Sequence, residues 1–427
     1  MSNKLKIAVI GLGSRGNAYS EYAALLPDEC EIVACADVLP YRVKRFGDKY
    51  GVDEKMRFSS GEELLAQEQL ADIAFICTMD RLHYGHAMAA LERGYHLLLE
   101  KPISPVLSEC IEIADLAKKK GLEVIVCHVL RYTNEYRKLK ELVDSGAIGD
   151  VVSIEAHERV AYWHQAHSFV RGNWSNSKRS SPMILQKSCH DMDILYWLAG
   201  KKSVAVSSFG SLTHFKASEA PEGATERCTE ACPHYFTCPY SVDKNYLEWG
   251  RRGVFTWPMD VVSQVPTMEA LEEALRTGPY GRCVYYCDND VVDHQVVNVL
   301  FEDGVTANFN MSPFTAEGGR KITVMGTKGD LESFDDDIVF SPFIDRFSDH
   351  SVKYKTEDVE DAFGHGGGDY GIVRDLLALL NGKYDVGSSL TRVSDSIESH
   401  VIALAAEESR LNGGKLIRTE DYIKANS

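Results

Sequence analysis

The feature that most constrains this chain is a glycine-rich turn placed directly after its first apolar segment. Leu5-Lys6-Ile7-Ala8-Val9-Ile10 has the pattern of a buried strand, and it runs into Gly11-Leu12-Gly13-Ser14-Arg15-Gly16, a G-x-G-x-x-G sequence with helical spacing beyond it. In such a unit the backbone can approach a pyrophosphate at the helix N-terminus, where free N–H groups and the helix dipole favour negative charge. The pattern therefore predicts a dinucleotide site formed by Gly11, Gly13, Ser14, Arg15 and Gly16.

A carboxylate after the second strand indicates which dinucleotide is bound. The strand Glu31–Ala36 ends in Asp37, roughly 20 residues past the last glycine, from where an acid can accept hydrogen bonds from the ribose hydroxyls. Its charge would repel a 2′-phosphate, so we expect NAD and not NADP, although the nearby Arg42 would weaken that preference. The alternative is a glycine turn without a ligand. The strand, the helix and the acid at the expected spacing argue against it.

Composition limits the class of protein and its partners. The chain has 427 residues, 44% hydrophobic and 26% charged, enough for two soluble domains. Its net charge of −17 argues against nucleic acid or an anionic membrane as partner. Neither a leader pattern nor a bilayer-spanning apolar stretch is visible, so we expect a cytoplasmic protein whose 11 cysteines are free thiols or metal ligands and not disulfides.

The alternation of elements predicts an α/β protein with two domains. Apolar strands and helical segments alternate through residues 1–128, as in a doubly wound parallel Rossmann sheet. Residues 129–427 carry longer alternating segments, which favour an α+β domain with an open, mainly antiparallel sheet. A cysteine-containing insertion at about 213–282 interrupts this sheet, and helices follow near the C-terminus. An open sheet face leaves apolar surface, so a homodimer or homotetramer is expected.

Polar residues that follow strands are the first candidates for chemistry, because ligands bind at the carboxyl ends of parallel strands. Glu100-Lys101-Pro102 follows one such strand. Beside a nicotinamide, Lys101 could hydrogen-bond a hydroxyl as it becomes a carbonyl. Pairing of Lys101 with Glu100 or with solvent is the structural alternative.

A second candidate group begins an amphipathic helix after Gln186. His190 and Asp193 would share one face of that helix, so the carboxylate is predicted to orient the imidazole for proton transfer. A core histidine with satisfied hydrogen bonds is the alternative.

Five motifs in this order resemble the glucose-fructose oxidoreductase/inositol dehydrogenase/MocA family. They are Gly11-x-Gly13-x-x-Gly16, Thr78…Asp80…His83, Glu100-Lys101-Pro102, Gly146-x-Ile148-Gly149 and His190-x-x-Asp193. The resemblance implies NAD(P) in the first domain, a sugar or cyclitol between the domains, and Lys101 and His190 as catalytic residues. It also implies further cofactor contacts from Thr78, Asp80, His83, Glu100 and Lys101.

The chain departs from the family motif at Gln186, where an aspartate is usual. Because glutamine cannot take up a proton, we expect any relay to run through His190, Lys101 or the additional Lys187.

The segment from Tyr162 to Trp174 has the polar and aromatic mixture of a carbohydrate-binding loop; a polar surface loop anchored by a tryptophan is the alternative. Late in the chain, His365-Gly366-Gly367-Gly368-Asp369 resembles a substrate-side loop of relatives that include NAD-dependent α-N-acetylgalactosaminidases. The expected substrate-binding residues are Arg131, Tyr162, His164, His167, Arg171, Trp174, Lys187, His190, Asp191 and His365.

Cysteines in the insertion leave two interpretations open. Cys228, Cys232, Cys238 and Cys283 could hold a structural zinc, which would stabilise a segment with little apolar content. Their first spacing, Cys-x-x-x-Cys, is looser than the usual zinc knuckle, so free thiols are the alternative.

The sequence supports three functions. The first is an NAD-dependent oxidoreductase acting on a secondary hydroxyl of a sugar, sugar derivative or cyclitol. The second is a glycoside hydrolase that oxidises its substrate, eliminates the aglycone, adds water and reduces the product with recycled NAD, using Tyr162, His164 or His167 as a base. The third is a noncatalytic protein that senses NAD and sugar, against which the presence of both Lys101 and His190 argues.

Overall fold

The first part of the chain forms a six-stranded parallel sheet in the order β3-β2-β1-β4-β5-β6. The computed structural model describes residues 4–334, 337–356, 365–383 and 389–427. The strands of this sheet are β1 Leu5–Ile10, β2 Cys30–Ala36, β3 Arg57–Phe58, β4 Ile73–Ile76, β5 His96–Leu99 and β6 Val124–Val126. The helices that cover it are α1 Ser14–Ala24, α2 Pro40–Tyr50, α3 Gly61–Ala66, α4 His83–Arg93 and α5 Leu107–Lys120.

Both faces of this sheet are buried, which explains its continuous apolar strands. Ala8 and Ile10 pack on one side with α4 and α5. Ile7 and Val9 pack on the other side, against α1 and the C-terminal helix α13 Gly368–Leu380. This is the doubly wound arrangement that the alternation of strands and helices predicts.

The second part of the chain forms a nine-stranded sheet in the order β14-β13-β12-β11-β7-β10-β9-β8-β15, in which the pairing of β7 with β10 is parallel and the other pairings are antiparallel. Its strands are β7 Val151–Arg159, β8 Ser203–Ser211, β9 His294–Phe301, β10 Thr306–Ser312, β11 Gly319–Gly326, β12 Gly329–Phe334, β13 Asp337–Pro342, β14 Val352–Lys355 and β15 Ile417–Arg418. Its further helices are α6 Asn134–Asp144, α7 Tyr162–His164, α8 Met183–Gln186, α9 Cys189–Ala199, α14 Val393–Leu411 and α15 Thr419–Asn426.

One face of the second sheet is covered and the other is open. Helices α9 and α14 pack on the covered face around Phe309 and Val299. On the opposite face, Phe209 is 57% exposed and Val152 is 50% exposed in the isolated chain. The predicted fold class, a Rossmann domain followed by an α+β domain with an open and mainly antiparallel sheet, is confirmed. The homodimer or homotetramer stays a prediction.

Between β8 and β9 the chain leaves the sheet and builds a small separate core. Helices α10 Glu248–Arg251, α11 Met259–Val262 and α12 Met268–Thr277 lie in this insertion. The side chain of Thr267 caps α12 by accepting a hydrogen bond from Ala270 N at 3.3 Å. Leu271, Leu275 and Tyr246 form the centre of the core.

The expectation of a loop over Tyr162–Trp174 is wrong. Helix α7 continues into a π-helical segment, Gln165–Arg171, all of whose residues are buried. Ala166 and Val170 pack against Phe215 and Tyr240 of the insertion. The insertion covers this segment and so favours a hydrogen-bonded helical backbone, and π-turns of this kind often occur at functional sites.

Among the residues that the structure describes, none of the helices is both long enough and apolar enough to cross a membrane.

Candidate active site

The glycine turn between β1 and α1 is shaped for close approach of a ligand to the backbone. Gly11 has φ of +91°, and a Cβ atom there would lie 2.5 Å from the carbonyl oxygen of Cys77. A Cβ atom at Gly16 would collide with the carbonyl oxygen of Gly11. Ser14 begins α1 beside this cradle, so the turn leaves room for a pyrophosphate at a helix N-terminus.

Asp37 lies where the second strand ends, next to the same turn. Its carboxylate accepts hydrogen bonds from Leu12 N at 2.7 Å and from Leu39 N at 2.9 Å. Arg42 Nη1 lies 3.6 Å from Asp37 Oδ2. The donors and acceptors at this end of the crevice fit the ribose of a dinucleotide, and the cation expected to weaken the preference for NAD is indeed beside the acid.

Arg15 connects the glycine turn to the C-terminal part of the chain. Its guanidinium donates to Glu100 Oε1 at 2.9 Å, to Tyr19 OH at 2.6 Å and to Asp369 Oδ2 at 2.9 Å. His365 Nδ1 lies 3.1 Å from Asp369 Oδ2, which places His365 on the same group. The structure thus uses Arg15 to fasten the residue 365–369 segment to the turn, and the expected cofactor contact from its side chain remains a prediction.

Glu100 remains an anion within this group. Burial alone would raise its pKa, but Arg15 and Lys101 lower it, and the net pKa is below its ordinary value. Its second oxygen, Oε2, accepts the backbone N–H of Lys101 at 2.9 Å.

Lys101 and His190 lie near one another where the first sheet approaches helix α9. The Lys101 ammonium donates to the carbonyl oxygen of Gln186 at 2.7 Å, and the Lys101–Pro102 peptide is cis. His190 is 5% exposed and its Nδ1 has no hydrogen-bond partner. Burial and the nearby Lys101 lower the pKa of His190 well below its ordinary value. A neutral imidazole beside an ammonium can accept a proton that a lysine helps to position.

The prediction that Asp193 orients His190 is wrong. Asp193 accepts two hydrogen bonds from Arg131, from Nε at 2.7 Å and from Nη2 at 2.6 Å. Both residues are almost fully buried. Bidentate pairing with a guanidinium satisfies both carboxylate oxygens. Arg131, expected to bind substrate, is therefore placed in a buried ion pair under α9.

Thr78, Asp80 and His83 hold the backbone around the Lys101 turn. His83 Nδ1 lies 2.7 Å from the carbonyl oxygen of Pro102, and Nε2 lies 3.0 Å from that of Thr78. Asp80 Oδ2 accepts from the hydroxyls of Ser180 and Ser181 at 2.8 and 2.7 Å, which joins the first sheet to the second part of the chain. Their expected contact with the cofactor remains a prediction.

A charged group lies on the substrate side of His190. Lys187 Nζ is 3.1 Å from Glu158 Oε1, and Arg320 donates to Asp191 Oδ1 at 2.8 Å. Arg320 also pairs with Glu158. Burial raises the pKa of Asp191 to about 6 in spite of Arg320.

Sequence reasoning missed both Glu158 and Arg320. They are cross-strand partners in the pairing of β11 with β7. The signal that could have found them is therefore strand register.

Three of the five predicted substrate-binding residues between Tyr162 and Trp174 have aromatic neighbours. Tyr162 lies against Tyr240, with ring centroids 6.0 Å apart, and Trp174 lies against Phe169. His167 accepts or donates a hydrogen bond with Tyr246 OH at 3.0 Å and stacks on Tyr280.

Arg171 also points into the insertion. It donates to the carbonyl oxygens of Arg282 and Tyr240 at 2.7 and 2.8 Å. Together with His167 it anchors the insertion, since both side chains are buried.

His164 lies within electrostatic reach of Lys101, Lys187 and Arg320, whereas the cation that acts on His167 is Arg171. Its ring stacks on Trp163 and meets the edge of Trp257, with centroids 5.6 and 5.2 Å apart. Burial, then Lys187, lowers the pKa of His164 well below its ordinary value. The ring is therefore a neutral base near the crevice.

The expected zinc ligands do not form a metal site in this geometry. Cys228, Cys232, Cys238 and Cys283 line one small pocket as free thiols. Over the described ranges of the chain, no three His, Cys, Asp or Glu side chains are arranged to hold a metal ion. Cys228 instead accepts a hydrogen bond from Arg171 Nη2 at 3.6 Å.

Replacing Gly16 by alanine is expected to weaken NAD binding by more than about tenfold, because relieving the collision with Gly11 must open the turn. Titration of the full chain with NADH, followed by fluorescence, measures this. Gly85→Ala in α4 is the control, since a Cβ atom there meets nothing within 4 Å and should leave binding unchanged. Equal affinity of Gly16→Ala and wild type would contradict a pyrophosphate site at this turn.

A doubly wound parallel sheet with this glycine turn, followed by a mainly antiparallel sheet, is the architecture of a two-domain dinucleotide-binding protein. Comparison with known proteins specifies the family. Residues 5–128 match the oxidoreductase family with NAD-binding Rossmann fold, and residues 140–416 match the C-terminal alpha/beta domain of the same family. The chain belongs to the Gfo/Idh/MocA oxidoreductase family.

Individual relatives are distant. The Bacillus subtilis (strain 168) protein YteT is 24% identical over 87% of this chain and 88% of its own length. The inositol 2-dehydrogenase of Salmonella typhimurium is 25% identical over 45% of this chain and 54% of its own length. An Agrobacterium radiobacter oxidoreductase, solved with NAD+, L-tartaric acid and magnesium, has a TM-score of 0.70 at 15% identity and covers 98% of this chain and 100% of that one. That likeness shows the fold.

Proposed function

We propose that this protein oxidises a secondary hydroxyl of a sugar, a sugar derivative or a cyclitol with NAD. The observation that carries the proposal is that Lys101, which follows a strand of the Rossmann sheet, bonds the Gln186 carbonyl just before α9 and lies near the buried His190 of that helix. The inositol 2-dehydrogenase relative supports a polyhydroxylated substrate.

Separate groups of residues would bind the cofactor and transfer the proton. Gly11–Gly16 and Asp37 would hold the pyrophosphate and the ribose. When bound, the nicotinamide supplies the hydride acceptor. Lys101 would hydrogen-bond the reacting hydroxyl, and His190 would accept its proton as the carbonyl forms. Gln186 stands where the family usually has an aspartate, and its side chain cannot take up a proton. Its backbone carbonyl would position Lys101 by accepting a hydrogen bond from the ammonium.

The test is a panel of aldoses, uronates, polyols and inositols, with NAD reduction followed at 340 nm. Stoichiometric NADH with at least one secondary alcohol supports the proposal. Binding of NADH without reduction by any member would instead favour the noncatalytic alternative.

One observation favours a second candidate, redox-assisted glycoside cleavage. His164 has a pKa well below its ordinary value because of burial and Lys187, it lies within electrostatic reach of Lys101, and it belongs to a different helix from His190. Once a ring carbon becomes a carbonyl, the C–H bond beside it is acidic, and His164 would remove that proton. The bond from the next carbon to its oxygen substituent then breaks with its electrons on oxygen, and the protonated substituent leaves. Addition of water and return of the hydride complete a net hydrolysis.

His164→Gln is expected to abolish this proton transfer by about 10²–10⁴-fold while leaving hydride transfer measurable. The measurement is deuterium uptake from D2O at the carbon next to the oxidised position, followed by NMR with a glycoside and a trace of NAD. His234→Gln, in the insertion and bonded to the Glu222 carbonyl, is the matched control. Hydride transfer without deuterium uptake in the wild type would support the dehydrogenase function and contradict glycoside cleavage.

A further inference from the structure

A segment of the insertion, residues 257–264, reaches from the substrate wall to the cofactor side of the crevice. At one end, the Trp257 ring lies 5.4 Å from that of Trp163 and 5.2 Å from that of His164. At the other end, Tyr41 OH on α2 donates to the carbonyl oxygen of Gln264 at 3.2 Å. The insertion therefore touches the Rossmann domain just past Asp37, where the adenosine half of a dinucleotide lies.

The side of α2 that faces this segment carries two arginines. Arg42 lies 3.6 Å from Asp37 Oδ2, and its Nη1 would be 3.6 Å from a Cβ atom at Gly13, so it extends over the glycine turn. Arg45 lies over the ring of Tyr41, the residue that contacts the insertion. Two arginines on α2, of which Arg42 lies beside Asp37, would by themselves favour the additional phosphate of NADP.

Asp260 in α11 supplies a second carboxylate at this place. It lies within electrostatic reach of both Arg45 and Arg42, and it follows the buried Met259 in the segment whose Gln264 contacts Tyr41. With Asp260, two acids face two arginines and the local charge is balanced. Apolar side chains at the same mouth, Val38, Leu39 and Val265, are exposed in the isolated chain and offer flat surface to an adenine.

We infer that residues 257–264 of the insertion form the outer wall of the adenosine site and that Asp260 makes this site select NAD over NADP. The inference rests on the proposed dinucleotide function but not on the identity of the sugar. Asp260 acts through the negative charge that it places near Arg42 and Arg45, which opposes the binding of a 2′-phosphate at these arginines.

The experiment is a titration of the full chain with NADH, NADPH and reduced nicotinamide mononucleotide, followed by fluorescence. Asp260→Asn is expected to tighten NADPH binding by about tenfold, the size of one charged contact, and to change NADH binding by less than about threefold. Tyr41→Phe is expected to weaken NADH binding several-fold. Neither variant should alter binding of the mononucleotide, because it lacks the adenosine half.

Trp249→Ala is the matched control. Trp249 is an exposed aromatic residue of the same insertion that lies under Arg252, so its loss should leave all three affinities unchanged. An unchanged ratio of NADPH to NADH affinity in Asp260→Asn would overturn the inference for Asp260. If Tyr41→Phe weakened the binding of NADH and of the mononucleotide equally, residues 257–264 would not form the outer wall of the adenosine site. Either result would leave the oxidoreductase proposal intact, whereas a wild type that binds none of the three ligands would defeat that proposal itself.

Discussion

Lys101→Met is expected to lower kcat by about 10²–10⁴-fold, the usual contribution of a positioned proton-transfer group. Methionine has a similar length and removes the ammonium that is held by the Gln186 carbonyl oxygen at 2.7 Å. NADH affinity should change by less than about threefold, because the glycine turn and Asp37 lie on other elements. Steady-state turnover on the best substrate and a separate NADH titration measure the two effects.

Lys201→Met provides the control for this prediction. Lys201 is an exposed lysine that pairs with Asp303 at the far edge of the second sheet, and its replacement should change neither quantity. Wild-type turnover in Lys101→Met would show that the lysine has no part in the chemistry. A large loss of NADH affinity with unchanged kcat would place Lys101 in the cofactor site instead.

The parts of the molecule that depend on local pattern could be predicted from the sequence. The glycine turn, its flanking strand and Asp37 lie in one short stretch of chain, and each has a steric or electrostatic requirement that few residue types satisfy. The change from a parallel to a mainly antiparallel sheet could also be predicted, because the spacing of apolar residues changes when one face of a sheet becomes solvent-exposed. These features are properties of neighbouring residues.

The partners of buried charges could not be predicted in the same way. His190 and Asp193 are close in sequence, yet Asp193 pairs with the distant Arg131. The guanidinium donates two hydrogen bonds to this carboxylate, whereas an imidazole could donate only one. Glu158 and Arg320 meet through strand register, which one sequence fixes only loosely.

The prediction of a substrate loop over residues 162–174 was wrong for a related reason. Their polar composition suggested a loop open to substrate, but the insertion supplies partners for His167 and Arg171 and buries them. His164 instead lies within electrostatic reach of Lys101 and Lys187. The difference arises from a long-range contact, which composition within the segment does not contain.

Asp369→Asn is expected to destabilise the protein by about 3 kcal/mol at neutral pH, near the lower end for breaking a buried ion pair. The Asp369 side chain is fully buried and Arg15, its partner, is 24% exposed, so the substitution leaves a largely buried guanidinium with Glu100 alone. The same carboxylate lies 3.1 Å from His365 Nδ1, so the substitution should also weaken the contact of His365 with this group. Urea unfolding measures the first effect.

The pH dependence of this loss has a definite sign. Burial would raise the pKa of Asp369, but Arg15 and His365 lower it well below its ordinary value. The folded protein therefore keeps the carboxylate ionised where the unfolded chain binds a proton, and the stabilisation is complete above about pH 3.9 and is lost as the pH falls further. The difference between wild type and Asp369→Asn should thus be constant from pH 7 to about pH 5 and shrink in stronger acid. Asp48→Asn, which removes an exposed carboxylate paired with Lys44 and Arg57, should cost much less stability than Asp369→Asn at every pH. If the two variants were equally stable at pH 7, Arg15 would not be the connection between the glycine turn and the C-terminal helix, and the position of His365 beside His190 would need another cause.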